Sequence, residues 1–540
     1  MKRYCAVKVI SFWTIGVAII GVLPSCDAQS FTTLQSFVTS QDGEEPYAGL
    51  VQATNGNLYG ATWLGGKNSR GTVFQITPSG TLTTLYNFCS QANCADGSLS
   101  YGGLIQGSDG NLYGTTSAGG RDVSCNGQLG CGTVFRITPG GTLTTLYAFC
   151  PTSPCTDGEA PYGGLVQGTD GNFYGTTYAG GLPLGGGTVF KVTPSGTLTT
   201  LYQFCFQTGC TDGSAPYAAL VQGADGNFYG TTEGGGSNNN NGTVFKITPS
   251  GTLTTLHNFV GTDGAHPYAA LVQGADGNFY GTTTAGGAKG SCTATNLCGT
   301  VFKITPGGTF TSFYSFCTRS GCPDGVYPYA GLIQGSDGNF YGTTEGGGSG
   351  SGLGNGTAFK ITSGGTLTTL YTFCAQSGCT DGAEPYGGLV ENINGAFYGT
   401  TYEGGVSNDG TLFSLSVLPP TFFANQAFLG SNVYYMAFPG GSLFGYYGFT
   451  QGSATTPGAW LYHFDLGYEY SIPGGAAGSI YFYDLASGHW WYSSSSLFPY
   501  LYDFTLNAWV YYYPAPNNPG HYTTNPRYFV NLTTNQIFTM

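Results

Sequence analysis

Short runs of apolar and β-branched residues alternate with glycine-containing turns along most of this chain, and one arrangement of them recurs seven times. A representative copy, Asp157 to Cys205, contains four candidate strands at 162–167, 172–177, 188–193 and 197–204. Between them lie Asp-Gly and Pro-x-Gly turns, in which glycine supplies the positive φ that tight hairpins need. No apolar period of 3.6 residues competes with this alternation. Each copy therefore predicts four antiparallel strands, which is the content of one propeller blade.

The first candidate strand of every copy begins with a tyrosine, and these tyrosines are 51 to 61 residues apart. Two small residues follow the tyrosine in each copy, as the crowded inner strands of a propeller require. A period near 50 residues with four strands per copy predicts an all-β, seven-bladed β-propeller. The seven tyrosines are Tyr47, Tyr101, Tyr162, Tyr217, Tyr268, Tyr329 and Tyr386.

The seventh copy lacks one strand. Its third strand, 411–417, is followed by Leu418-Pro419-Pro420 and by no fourth segment. At the other end of the array, Phe31 to Phe37 (FTTLQSF) has the pattern of a fourth strand but precedes the first copy. We therefore expect this N-terminal strand to complete the last blade and close the ring, which removes exposed sheet edges.

Composition changes after the repeats, where cysteines disappear and more than a quarter of the residues are aromatic. Hairpin-like units follow, each with Asp or Asn before a tight turn. Trp490, Trp491 and Trp509 are candidates for stacking on sugar rings, although a small β domain also needs aromatic residues for its core. The chain thus divides into a predicted signal peptide (1–28), the propeller (29–417), a linker (418–421) and a small aromatic-rich antiparallel β-hairpin domain (422–540).

The N-terminus is typical of an exported protein. Lys2 and Arg3 precede a short apolar run, and cleavage after Ala28 fits a small-residue site. The residues up to Cys26 also resemble a bacterial lipoprotein box, so lipid anchoring through Cys26 is the alternative to release. No later stretch is apolar enough to predict a membrane-spanning segment.

The fourteen cysteines after the signal region all fall in close pairs. Seven pairs with none left over predict seven local disulfides and an oxidising compartment. A metal site is disfavoured, because each loop offers two sulfurs and no nearby histidine. The pairs are Cys89/Cys94, Cys125/Cys131, Cys150/Cys155, Cys205/Cys210, Cys292/Cys298, Cys317/Cys322 and Cys374/Cys379.

The charged residues of the chain limit the kinds of molecule it is expected to bind. The chain has 14 basic and 27 acidic residues and no basic cluster, which argues against nucleic-acid binding. Twelve of the acids belong to repeated Asp-Gly turns, so the net charge of −13 is weak evidence for a cationic partner. We expect a monomer.

The repeat text resembles a known family. Segments such as DGNFYGTT and GTVFKVTPSGTLTTLY, with a double glycine between them, are similar to the tandem GloVer repeat of bacterial "choice-of-anchor" surface proteins, over roughly residues 30–417. The resemblance implies an exported, surface-associated protein and supplies no catalytic residues. The sorting helix with a basic tail that is usual in that family is not found here, so the mode of anchoring stays open.

One Asp-Gly precedes the inner strand of every repeat. These carboxylates are candidates for a ring at the channel mouth that binds Ca²⁺ or a cationic ligand. Asp before Gly also commonly accepts hydrogen bonds within its own turn, and we favour this structural role. Apart from Ca²⁺, no cofactor is expected. The residues are Asp42, Asp96, Asp157, Asp212, Asp263, Asp324 and Asp381.

Two further polar positions recur. A second Asp-Gly set, which includes Asp109 and Asp170, predicts hairpin turns only. A glutamine on the inner strand, which includes Gln52 and Gln106 and is replaced by Glu391 in the last copy, predicts hydrogen bonds between blades.

Function is less well specified than fold. The connections from strand two to three and from strand four to the next blade share one face, vary in length and hold all fourteen cysteines, so this loop face is the predicted interaction surface. Its longest insertions, 119–131 and 286–298, are expected to centre the contact. No nucleophile-elbow, Walker or zinc-protease motif occurs. We expect an exported surface protein that binds an envelope glycan or a surface protein. The alternative is a carbohydrate-active enzyme, a polysaccharide lyase or glycosidase, that uses the same face.

Overall fold

The computed structural model describes residues 29–417 except 122–123, 126–127, 183, 238–239, 288–297, 349–353 and 393–394, together with eleven strands between 426 and 539. The predicted signal peptide, Cys26, the linker and Cys292 lie outside the described residues. In the part of the chain that is described, no helix has the length and apolar character needed to cross a membrane.

Seven antiparallel sheets of four strands form the blades, which confirms the predicted fold class. The first strands are β2 (Val51–Gln52), β6 (Ile105–Gln106), β12 (Val166–Gln167), β16 (Val221–Gln222), β20 (Val272–Gln273), β24 (Ile333–Gln334) and β28 (Val390–Glu391). The second strands are β3 (Leu58–Ala61), β7 (Leu112–Thr116), β13 (Phe173–Thr177), β17 (Phe228–Thr232), β21 (Phe279–Thr283), β25 (Phe340–Thr344) and β29 (Ala396–Thr401). The third strands are β4 (Thr72–Ile76), β10 (Thr133–Ile137), β14 (Thr188–Val192), β18 (Thr243–Ile247), β22 (Thr300–Ile304), β26 (Thr357–Ile361) and β30 (Thr411–Val417).

The fourth strands include the N-terminal one. They are β5 (Leu82–Asn87), β11 (Leu143–Ala148), β15 (Leu198–Gln203), β19 (Leu253–Asn258), β23 (Phe310–Ser315), β27 (Leu367–Thr372) and β1 (Gln29–Ser36). Short elements in the loops are the hairpin of β8 (Ser124–Cys125) and β9 (Gln128–Leu129) and the 3₁₀ turns Ala92–Cys94, Thr208–Cys210 and Ser377–Cys379.

The ring closes through β1, as the sequence predicts. This strand pairs antiparallel with β30, from Gln29 opposite Val417 to Ser36 opposite Thr411. Phe31 also stacks on Tyr371 of the sixth blade, with ring centroids 3.7 Å apart. The N-terminal strand thus completes the seventh blade and packs against the sixth.

The hydrophobic core lies between the blades. Seven clusters of buried residues occur in the described propeller, and each draws from two adjacent blades. In one of them Tyr59 and Phe88 of the first blade pack with Phe135 of the second. The glycine of each second strand makes room for this third-strand phenylalanine, since a Cβ at Gly114 would lie 2.7 Å from the Phe135 ring. Each blade is therefore stabilised mainly by its two neighbours.

The inner strands are shorter than the sequence predicts. The candidate strand 162–167 reduces to Val166–Gln167, because the preceding residues contact the adjacent blades instead of a strand of their own sheet. Thr176 Oγ1 donates to the Ala218 carbonyl of the next blade at 2.8 Å. A Cβ at Gly163 would lie 2.7 Å from that same Ala218 carbonyl oxygen. The small pairs are needed for this close approach of backbones.

The C-terminal part forms one antiparallel sheet in which the eleven strands are ordered as in the sequence. This confirms the predicted antiparallel β region. The strands are β31 (Gln426–Gly430), β32 (Val433–Ala437), β33 (Leu443–Gln451), β34 (Ala459–His463), β35 (Gly467–Pro473), β36 (Ser479–Asp484), β37 (His489–Ser494), β38 (Tyr500–Asp503), β39 (Ala508–Tyr512), β40 (Tyr528–Asn531) and β41 (Gln536–Thr539).

Candidate binding site at the channel mouth

The seven repeated tyrosines form a closed belt around the propeller axis. Neighbouring ring centroids are 4.7 to 5.1 Å apart all the way round, and Tyr47 and Tyr386 complete the circle at 4.7 Å. Aromatic pairs at such distances contribute about 0.5–1.5 kcal/mol each beyond the area they bury. The belt therefore links all seven blades at their inner ends.

A cavity of about 170 Å³ lies on the axis. The belt tyrosines and the small residues that follow them line it. Tyr47 and Tyr217, which belong to blades three apart, both line this cavity. Burial raises the pKa of both hydroxyls far above the usual tyrosine range, so both are neutral at physiological pH. The cavity wall is thus aromatic hydroxyl and backbone, without a charged side chain among the described residues.

On the loop-face side of the belt, each blade has a non-glycine residue with φ between 53° and 60°. This left-handed conformation costs an L-residue roughly 1–2 kcal/mol. Two backbone hydrogen bonds hold the residue in this conformation. In the seventh blade the Glu384 N–H donates to the Asn355 carbonyl of the preceding blade, and the Glu384 carbonyl accepts from the Tyr402 N–H of its own blade. The set consists of Glu45, Leu99, Ala160, Ala215, His266, Tyr327 and Glu384.

A second set of side chains follows the second strands and lies beside the belt. Tyr268 Oη donates to Glu233 Oε1 at 2.9 Å, and Tyr386 Oη donates to Glu345 Oε1 at 2.6 Å. The Trp63 ring lies 5.1 Å from that of Tyr101. This set consists of Trp63, Ser117, Tyr178, Glu233, Thr284, Glu345 and Tyr402. We call the fourteen residues of the two sets the mouth.

Negative charge gathers on one side of the mouth, over blades six, seven and one. Burial, followed by the charges of Glu403 and Glu345, raises the pKa of Glu384 to about 7. Burial also raises the pKa of Glu345, against the hydrogen bond from Tyr386. The pKa of Glu45 is raised in the same way by burial, against a hydrogen bond from Tyr402. We call three glutamates of the mouth, Glu45, Glu345 and Glu384, together with Glu403, which follows Tyr402 in the chain, the acidic sector.

No lysine or arginine occurs in the mouth. The acidic sector is therefore a group of partly desolvated carboxylates, and the one imidazole of the mouth, His266, lies 3.8 Å from Glu233 Oε1, outside this sector. Aromatic rings adjoin this sector: Glu345 Oε1 accepts from Tyr386 Oη at 2.6 Å, and the Tyr402 ring lies 5.1 Å from the Tyr386 ring and 6.1 Å from the Tyr47 ring. Carboxylates beside ring faces offer hydrogen-bond acceptors next to flat apolar surface.

The predicted Asp-Gly carboxylates are not part of the cavity wall. Six of them bind the last residues of the preceding blade: Asp96 accepts from Tyr86 Oη at 2.8 Å and from the Ser90 N–H at 2.8 Å. Asp157, Asp212, Asp324 and Asp381 accept equivalent tyrosine hydroxyls, and Asp263 pairs with His257 instead. The Asp42 carbonyl accepts from Thr72 Oγ1 at 2.7 Å. Ligand binding by these aspartates, of Ca²⁺ or otherwise, stays a prediction.

Six of the seven predicted disulfides are present in the described residues: Cys89–Cys94, Cys125–Cys131, Cys150–Cys155, Cys205–Cys210, Cys317–Cys322 and Cys374–Cys379. Cys298 is also disulfide-bonded, and its predicted partner Cys292 lies outside the described residues. The bridges close the connections of the loop face.

The opposite face holds the repeated glutamines and the second Asp-Gly set. Gln106 Oε1 accepts from the Thr54 N–H of the preceding blade at 2.8 Å, and Gln52 Nε2 closes the circle on Asn392 Oδ1 at 3.0 Å. The predicted hydrogen bonds between blades are thus confirmed. Asp109 caps its own hairpin by accepting from the Asn111 N–H at 3.1 Å.

Backbone register separates the three predicted tryptophans. Tyr492 is paired with Tyr502, which is paired with Trp509. Because alternate residues of a strand share a face, Trp490 and Trp509 belong to one face of the C-terminal sheet and Trp491 to the other. A ligand bound to one face of the sheet would meet two of the three. Sugar stacking by these tryptophans stays a prediction.

Comparison with known proteins identifies the family to which this chain belongs. The Gloeobacter/Verrucomicrobia repeat matches residues 18–209, 123–321 and 293–463. The chain belongs to this repeat family. No curated protein matches it.

Solved structures show more distant likenesses to this Gloeobacter/Verrucomicrobia repeat protein. Two are extracellular domains of hybrid two-component systems from B. thetaiotaomicron, both at 11% identity, with TM-scores of 0.44 and 0.46. The match covers 94% of this chain in both cases, but 58% of the first domain and 78% of the second. A gluconolactonase from Xanthomonas campestris matches 53% of this chain and 78% of its own at 13% identity and a TM-score of 0.32.

Sequence reasoning missed the mouth. The two sets occupy the positions before the proline or serine that precedes each belt tyrosine and after each Gly-Thr-Thr or Gly-Ala-Thr. At these positions this member of the repeat family has Glu, Tyr, Trp, His, Ser, Thr, Ala or Leu. Variation at fixed positions of an otherwise uniform repeat is a signal that could have identified the site.

Proposed function

We propose that this protein is an extracellular, surface-associated binding protein whose propeller mouth takes a neutral or amino-bearing carbohydrate of the cell envelope. The observation that carries the proposal is the acidic sector, where carboxylates lie beside tyrosine rings at the end of the channel.

The chemistry of the mouth suits a sugar. Sugar hydroxyls are donors that carboxylates accept strongly, and the apolar face of a sugar ring packs on an aromatic ring. An anionic polysaccharide would meet repulsion from Glu345, Glu384 and Glu403, and the mouth has no lysine or arginine to offset it. Hydrogen bonds from a neutral sugar, or the charge of an ammonium group, would stabilise the carboxylates of Glu345 and Glu384, whose pKa values are raised by burial.

Two buried polar atoms of the mouth, Trp63 Nε1 and Glu45 Oε2, have no hydrogen-bond partner among the described residues. Buried polar groups are nearly always paired, so such atoms call for an explanation. One explanation that fits the proposal is that these two atoms form hydrogen bonds when a ligand binds and the mouth rearranges.

The proposed location rests on the chain's own chemistry. Local disulfides form and persist in oxidising compartments, and six are present in the described residues. The predicted signal at 1–28 accounts for export, with anchoring through Cys26 as the alternative. We expect the exported protein to be a monomer.

A glycan array followed by titration calorimetry tests the proposal. Glu345→Gln combined with Glu403→Gln should weaken binding at least tenfold, because each lost charged hydrogen bond costs about 1.5–3 kcal/mol. Glu391→Gln is the matched control: it removes a carboxylate on the opposite face and restores the glutamine of the other six blades.

The outcomes separate the possible sites. Unchanged affinity in the double variant would exclude the mouth. Loss of binding in the double variant Trp490→Ala, Trp509→Ala would then place the binding site on the C-terminal sheet. Loss of binding after residues 119–131 are shortened would place the site at this long insertion.

A second candidate function is a carbohydrate-active enzyme that uses the same mouth. The specific observation in its favour is Glu384, whose pKa of about 7 suits a general acid at neutral pH. In that case Glu384→Gln should abolish release of reducing sugar from an array-positive glycan while affinity is retained. If the unaltered protein binds the glycan but releases no reducing sugar, the enzyme function is excluded and only the binding function remains.

A further inference from the structure

The loops of the second blade bring four cysteine sulfurs together. The Sγ atoms of Cys125, Cys131, Cys150 and Cys155 all lie within 4.8 Å of one another. The first two belong to the connection between β7 and β10, and the other two to the connection between β11 and β12. The sequence argument against a metal, that each loop offers only two sulfurs, does not hold once two loops meet.

We propose that this cluster is a redox-dependent metal site, which holds two disulfides when oxidised and a tetrathiolate-bound Zn²⁺ when reduced. Zinc–sulfur bonds of about 2.3 Å in a tetrahedron set sulfur–sulfur distances of about 3.8 Å. The four sulfurs therefore reach that geometry through shifts of about 1 Å.

The surroundings fit both states. Cys125, Cys131 and Cys150 are buried in one core cluster, and Cys155 is half-buried, which gives a reductant access from solvent. Folded blades hold the two loops in place independently of the sulfurs, since the Ala160 N–H donates to the Cys131 carbonyl at 2.9 Å. Arg121 donates to the Ala148 carbonyl at 3.2 Å and brings positive charge near a site that would carry two net negative charges.

The cysteine spacing itself recurs in the chain. Cys125 to Cys155 follow Cys-x5-Cys-x18-Cys-x4-Cys, and the fifth repeat has the same spacing from Cys292 to Cys322. The other three Cys-x4-Cys pairs have no second pair in the strand two to three connection of their blade. The second and fifth repeats therefore share an arrangement of two cysteine pairs that the other repeats lack.

Conversion of the two disulfides into the tetrathiolate site requires a two-electron reductant for each disulfide. Each disulfide takes up two electrons and two protons and yields two thiols, while a dithiol reductant becomes a disulfide. A phosphine does the same in vitro and becomes the phosphine oxide with the oxygen of one water. Zn²⁺ then displaces the four thiol protons, so binding weakens as pH falls.

Cobalt substitution in the full exported chain tests the site. After reduction with a phosphine and removal of the reductant under anaerobic conditions, Co²⁺ should give the ligand-field and sulfur-to-metal charge-transfer bands of a tetrahedral thiolate site. Zn²⁺ should displace them. Cys125→Ser with Cys131→Ser should lower the bound metal by one equivalent per chain. Cys89→Ser with Cys94→Ser removes a pair that has no neighbouring pair in its blade and should leave the stoichiometry unchanged.

Circular dichroism of the reduced chain accompanies the titration. Equal cobalt binding in both double variants overturns the proposal. So does the absence of tetrahedral bands in the unaltered protein, or unfolding of the reduced chain that Zn²⁺ does not reverse.

Discussion

At the scale of single residues, the mouth shows how a uniform repeat produces a non-uniform site. The small pairs recur because the inner backbones of adjacent blades approach closely, and the belt tyrosines recur because their rings pack on one another around the axis. The backbone of the residues beside them is held by hydrogen bonds that do not depend on the side chain, as for Glu384 and Tyr402, so the residue type at these positions can vary. Variation has placed the carboxylates of the acidic sector together.

Glu384 should make stability depend on pH. Its pKa of about 7, against an ordinary value of 4.5, means that the folded chain binds this proton more tightly than the unfolded chain. The contribution is full below about pH 4.5 and is lost as pH rises through 7. Glu384→Gln should therefore gain about 1–2 kcal/mol relative to the unaltered protein between pH 5 and pH 8, after allowance for solvent screening.

Urea unfolding at pH 5 and pH 8 measures this difference. Glu391→Gln, which removes a carboxylate on the opposite face, serves as the control. If the stability difference between Glu384→Gln and the unaltered protein is the same at both pH values, the carboxyl is not perturbed as described.

At the scale of elements, adjacent blades are joined by a threonine of the second strand, which donates to the backbone of the next blade. Thr115 Oγ1 donates to the Gly163 carbonyl at 2.9 Å, and Thr176 Oγ1 makes the equivalent bond. The first blade has buried Ala61 at this position and lacks the donor. The junction between blades one and two is thus short of one hydrogen bond.

Ala61→Thr should supply the missing donor to the Gly102 carbonyl and raise the free energy of unfolding by about 1 kcal/mol. Ala61→Val, which adds the same volume without a hydroxyl, is the comparison, and Thr176→Ala should lose about the same amount. Thermal melting of the three variants provides the values. Equal melting temperatures for the Thr and Val variants would show that no bond forms.

At the scale of the whole molecule, the ring depends on one strand that is distant in sequence from its partner. Without β1 the edge of β30 would be exposed, and Phe31 would no longer stack on Tyr371. An exposed strand edge pairs readily with other chains.

Deletion of residues 1–40 should lower the melting temperature and cause aggregation, relative to a chain that begins at Gln29. Size-exclusion chromatography and thermal melting compare the two. A monomeric deletion variant with an unchanged melting curve would contradict closure through β1.

The sequence by itself determined the number of blades, the turns between strands, the closing strand and the local cysteine pairs. These features depend on strand alternation, glycine turns and spacings of a few residues, which act locally and repeat. Even the strand missing from the seventh copy could be found, because the other six copies show that each blade needs four strands.

Only the tertiary structure decided which residues meet across blades. Glu345, Glu384 and Glu403 come from different loops, and so do the four sulfurs of the second blade. Sequence distance does not encode these contacts, because the ring geometry brings loops together at the axis and between neighbours.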